Sequence, residues 1–222
     1  MNCPTIKEPI CEQQINEMII KPTLKDTFRK LFTDYAIYSF FYILNINLKL
    51  CNEKILLTKL IDNQKEIGDF IKPLIGEING NELIQLLKEH VASITETINS
   101  IAIKDKIKMK DSIEKIYAVN CKLSKFFYSL NKKKLPENKI LYQLNKHTQF
   151  LIDISILYLE KKYEYAFQKF DLYFNHILLI SDTLCVAFTN EQKQTGGQNS
   201  NKFYHKYKKY KVKYLKKKNL KI

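Results

Sequence analysis

Residues 60–90 read LIDNQKEIGDFIKPLIGEINGNELIQLLKEH. The stretch holds three of the chain's five glycines, Gly68, Gly76 and Gly80, and Pro73, a proline inside a helical pattern. Leu60, Gln64, Ile67, Ile71 and Leu74 recur at steps of 4, 3, 4 and 3, one face of an α-helix running from about Asn52 to Leu74. Pro73 lacks a backbone donor and is expected to kink or end this arm near Lys72. Gly76 is free to take a positive φ at the helix end. Asn79, with Glu82 three residues on, has the form of a capping box for a second arm. Asn79-Gly80 is also a hairpin dipeptide, but its flanks lack the alternation of strands. The second arm steps through Leu83, Leu87, His90, Ile94, Ile98 and Ile101. Two helices meeting at a corner are therefore predicted, with His90 on the buried stripe. A neutral core histidine, hydrogen-bonded to a neighbouring helix, is the first expectation there. A metal or ligand contact inside a bundle is the second.

Outward from the corner the pattern stays helical. Pro4, Pro9 and Pro22 mark residues 1–22 as an irregular arm. Thr23 can cap a helix carrying Leu24, Phe28, Leu31, Tyr35, Tyr38, Tyr42 and Asn45. Phe32, Ile37, Phe40, Phe41 and Ile43 widen its apolar stripe, so a central position is expected. A helix over about Lys106–Leu130 follows. Asn131 and three lysines form a loop, and Pro136 takes a favoured first position of the next helix. That helix shows Leu141, Leu144, Thr148, Leu151, Ser155 and Tyr158. The last long helix shows Phe167, Phe170, Phe174, Ile177, Ser181, Leu184 and Phe188. The predicted fold class is all-α. Residues 23–190 make an up-and-down bundle of about six helices, 191–201 a flexible linker containing Gly196-Gly197, and 202–222 a separate basic helix.

Of 222 residues, 45% are hydrophobic, enough for a real core. Five scattered cysteines (3, 11, 51, 121 and 185) form no CxxC, which argues for free thiols and against structural zinc. The first 21 residues lack a charged-then-apolar leader, and the longest apolar run, Ala36 to Leu44, is far short of the roughly 20 residues of a membrane span. No transmembrane segment and no secretion are expected. There is no G-x-S-x-G, no phosphate-cradling glycine loop and no Cys/His pair at a recognisable spacing, so a non-enzymatic protein without catalytic residues is the first expectation. His147 reads as a partly exposed helix residue.

The corner resembles an uncharacterised family of bacterial helical proteins with the pattern N-Q-x-x-I-G, a proline, then G-x-x-x-G-x-x-L-x-x-L-L-x-x-H. Asn63, Gln64, Ile67, Gly68, Pro73, Gly76, Gly80, Leu83, Leu86, Leu87 and His90 carry the match. It continues at Asp171, His176 and Asp182, with Phe170 in place of a tyrosine. The resemblance implies a fold more than an activity. In the family, His or Glu stands where this chain has Tyr35, Leu144, Leu151 and Phe174, which implies a polar centre replaced by less polar groups here. His90, Asp171, His176 and Asp182 form the candidate set for a divalent metal, in the manner of carboxylate bundles. The Glu-x-x-His pairs of those bundles are missing, and the first expectation is no cofactor.

The charge is uneven. The net charge is +14, yet residues 201–222 hold ten lysines and no acid, leaving +4 for the first 200. Phe203, Tyr207, Tyr210 and Tyr214 step by 4, 3 and 4 among those lysines. The run Lys206 to Leu215 resembles the Lys/Tyr-rich terminal segments found in mimivirus-type giant DNA viruses. That resemblance implies a viral protein in the viral factory of the host cytoplasm or in the virion. Lys206, Lys208, Lys209, Lys211, Lys213, Lys216, Lys217 and Lys218 suit phosphates, and Tyr207, Tyr210 and Tyr214 suit stacking on unpaired bases. Nucleic acid or another polyanion is the expected partner. An acidic membrane surface, a coiled-coil seam and a sorting address are the alternatives.

Overall fold

The computed structural model describes residues 22–189. They form six α-helices and no strand: α1 Leu24–Asn47, α2 Glu53–Ile75, α3 Glu77–Ala102, α4 Lys106–Leu130, α5 Glu137–Leu159 and α6 Tyr163–Thr189. The all-α bundle is as the sequence predicts. The N-terminal arm, the linker and the basic segment lie outside the described residues.

Helix α1 is central, packing against α2, α3, α5 and α6. Phe28, Leu31, Phe32, Tyr35, Phe40, Tyr42 and Ile43 are all buried. Its start is the capping box that Thr23 forms with Asp26. Thr23 Oγ1 accepts from the Asp26 N–H at 3.2 Å, and the Asp26 carboxylate accepts from the Thr23 N–H at 2.8 Å. Both satisfy amides that a helix N-terminus otherwise orphans.

The corner is a complete hairpin. A single residue, Gly76, separates α2 from α3, at φ 92° and ψ 161°, a backbone state side chains rarely tolerate. The arms then run antiparallel. Residues equidistant from Gly76 face each other: Gly68 meets Ile84, and Gly80 meets Lys72. A Cβ at Gly68 would lie 2.2 Å from Ile84 Cγ1, and one at Gly80 would lie 2.5 Å from Lys72 Cγ and 3.0 Å from Lys72 Cα. Both glycines are buried for this reason.

Two details of the corner differ from expectation. Helix α2 continues through Pro73 to Ile75. Proline removes one hydrogen bond and crowds the carbonyl one turn back, and α2 runs only two residues beyond it. Asn79 is not an N-cap: α3 already begins at Glu77, and the Asn79 side-chain amide donates 2.8 Å to the Ile75 carbonyl, capping the helix before it. Glu82 is an exposed residue inside α3 and closes no capping box. Pro136 sits one residue earlier than expected, at the N-cap of α5.

Helix α6, by length and composition, is the one helix among the described residues able to cross a membrane; 44% of the qualifying window is buried in the bundle. Tyr173, Ile177, Leu184 and Phe188 are its inward side. The longest-run criterion missed it because polar residues interrupt its apolar ones.

Candidate functional site

The buried stripes of four helices converge on rings that carry polar atoms. Helix α1 supplies Tyr35, α3 His90, α5 His147 and α6 Tyr173, none more than 5% exposed. His147 is the hub. Its ring centroid lies 5.3 Å from His90, 5.5 Å from Tyr35 and 5.4 Å from Tyr173. The Tyr35 hydroxyl and His147 Nε2 are 3.2 Å apart, the one hydrogen bond among these four. Among the described residues, His90 Nε2, His147 Nδ1 and the Tyr173 hydroxyl have no hydrogen-bond partner, nor does Ser39 Oγ, one turn beyond Tyr35. A cavity of about 50 Å³ adjoins the cluster, walled by Tyr35, Gln64, His90 and His147 and by apolar side chains such as Leu123 and Ile177. That volume is on the scale of one or two water-sized molecules.

Burial decides the protonation of these rings. It pulls His90 down to about 4. His147 falls well below the ordinary histidine range, first through burial and then through its neighbours His90 and His176. Burial raises both Tyr35 and Tyr173. At neutral pH the cluster therefore holds two neutral imidazoles and two neutral phenols. An unpaired charge costs far more in such surroundings than an unpaired dipole.

The four residues of the candidate metal set do not converge. His90 lies in the cluster. His176 donates from Nε2 to the Gln143 carbonyl at 2.9 Å and packs on Phe150. Burial pulls its pKa below the usual histidine range, opposed by that hydrogen bond. Asp171 is exposed. Asp182 is pinned by Arg29, the chain's only arginine, with Nε to Oδ1 at 2.8 Å and Nη2 to Oδ2 at 2.6 Å, and Lys25 stands 3.3 Å away. The Arg29 hydrogen bond holds the carboxyl below its ordinary range. Among the described residues no three His, Cys, Asp or Glu side chains are placed to hold a metal ion.

His90 is buried as expected, although Nε2 reaches no neighbouring helix. His147 is a correction, since it is 2% exposed and not partly solvated. The stripe through Leu144, Thr148 and Leu151 already flanks position 147, and α5 touches four other helices, so its buried arc is wide. Tyr173 was legible too, three residues after Phe170 and four before Ile177. The lysines and tyrosines from 206 to 218 lie outside the described residues.

The class these features define is an all-α bundle with a neutral, ring-lined polar centre. No protein-family model, no curated protein and no solved structure matches the chain.

Proposed function

We propose that this chain is a non-enzymatic binding or structural protein whose lysine-rich C-terminal segment contacts nucleic acid or another polyanion. One observation carries the reading: ten of the 37 basic residues stand in the last 22 positions, with no acid among them. The domain supports it because its central titratable groups are neutral and meet aromatic rings, which is packing chemistry and not acid–base chemistry. The likeness of residues 206–215 to giant-virus terminal segments supports a setting in a viral factory or virion.

The test is binding of single-stranded DNA by fluorescence anisotropy across a salt series. With about six lysines on phosphates, log affinity for a single strand falls against log salt with a slope near −4. Replacing Lys208, Lys209, Lys211 and Lys213 with glutamine reduces the slope by about 3. An unchanged slope would place the contact elsewhere.

The small-ligand reading is favoured by the unpartnered atoms beside the cavity. Xenon entering the core, seen as a shifted xenon resonance in the native protein and lost in Leu123→Phe, is the outcome that reading requires.

A further inference from the structure

Helix α6 presents a second apolar face, to the outside. Tyr165, Leu172, Leu179 and Val186 recur every seven residues, and each is more than half exposed. At 1.5 Å per residue they line about 31 Å of the helix. A strict seven-residue repeat keeps such a line straight against a partner helix. At the Tyr165 end a groove of about 690 Å³ opens between this line and α5, with Ile156 and Leu157 on its far wall. On α6, Asp182 is neutralised by Arg29 and Lys25, and Lys169 is paired with Asp153 at 3.1 Å, which leaves the acidic excess with Glu164 and Asp171. Glu164 and Asp171 have no ion-pair partner among the described residues.

We propose that residues 203–214 of the same chain pack their aromatic side against this outer face of α6. Three observations select this occupant. Phe203, Tyr207, Tyr210 and Tyr214 have the alternating 4–3–4 spacing of a coiled-coil seam, the complement of a seven-residue line. Their neighbours are lysines, matching the acidic excess of α6. The 13 residues between Thr189 and Phe203 can reach at most about 45 Å, enough to turn back along the helix. A tethered segment meets the face at an effective concentration on the order of millimolar. A second copy of the chain has no such advantage and carries the same net +14.

The chain has no tryptophan, so Tyr210→Trp adds a single reporter. In the full-length protein, without nucleic acid, its emission is expected to be blue-shifted and protected from acrylamide, unchanged on tenfold dilution. Leu172→Lys with Leu179→Lys shifts the emission to that of solvated indole, while helicity by circular dichroism stays the same. Should the lysines disturb α6, Leu172→Asn with Leu179→Asn carries the same expectation. A solvated spectrum in the parent, or one indifferent to both pairs, overturns the proposal. A blue shift that disappears on dilution gives the face to a second copy, and one that requires anionic vesicles gives it to a membrane; either also overturns it. The salt-slope experiment reads the lysines alone, so its failure is distinct from failure here.

Discussion

The α2–α3 hairpin closes on Gly68 and Gly80, where the bare backbone of one helix packs directly against the Ile84 and Lys72 side-chain carbons of the other. The centre of the bundle closes on Tyr35, His90, His147 and Tyr173, four large rings with one hydrogen bond among them. Both contacts are buried, and they hold in different ways. The hairpin is specified by shape, since only hydrogen fits at two positions and only glycine readily takes the φ of Gly76. The centre is specified by neutrality, since it is stable only while the imidazoles carry no proton charge. Shape is indifferent to pH, whereas neutrality is not.

Acid should therefore separate the two regions most strongly. A histidine whose folded pKa is depressed binds fewer protons in the native state than in the unfolded chain. Stability is then fully present above the unfolded value near 6.5 and declines as pH falls toward the folded value. For His90, reaching about 4, the loss across that window is about 3 kcal/mol, and His147 acts in the same direction. Urea melts at pH 7.5 and 4.5 measure it, and His90→Leu should flatten the dependence. A profile flat between those pH values would mean the rings are solvated.

The next effect belongs to the hairpin. Gly80→Leu forces a branched side chain against Lys72, including its Cα, and overpacking of that kind costs about 1–3 kcal/mol. The loss should be the same at both pH values, which distinguishes it from the centre. At Gly68 the obstacle is only the Ile84 side chain, nearest at Cγ1, so Gly68→Ala is expected to cost less in an Ile84→Ala background than in the parent.

The hairpin was legible in the sequence because its signals are local. Gly76 ends one apolar pattern and begins another, and the glycines at 68 and 80 fall where two folded arms meet. The centre was legible only in part. His90 and Tyr35 lie on clean stripes, but the sequence does not say that α5 turns His147 toward both. Asp182 shows the same limit. The candidate metal set grouped it with His90, Asp171 and His176, while its actual partner, Arg29, lies 153 residues away. A charge on an outer stripe is assigned by the helix that packs beside it, and no periodicity along one helix contains that information.

The turns between helices sharpen the lesson at the smallest scale. Lys49, Lys104 and Lys161 each follow a helix with φ between 54° and 59°, the left-handed region where glycine is the usual choice. In each turn the next amide reaches back to a carbonyl five residues earlier: Leu50 to Asn45, Asp105 to Ser100 and Lys162 to Leu157. These are glycine-type helix ends built with lysine, which is why composition gave no sign of them. A side chain in that conformation is strained by about 1–2 kcal/mol, and glycine gives back part of the relief through its freedom in the unfolded chain. Lys104→Gly should therefore stabilise the bundle by about 0.5–1 kcal/mol, read as a higher urea midpoint at unchanged slope. Lys104→Ala keeps the Cβ and removes only the charge, so it should move the midpoint little. Equal gains from both substitutions would assign the effect to relieved charge repulsion in a basic protein and not to backbone strain.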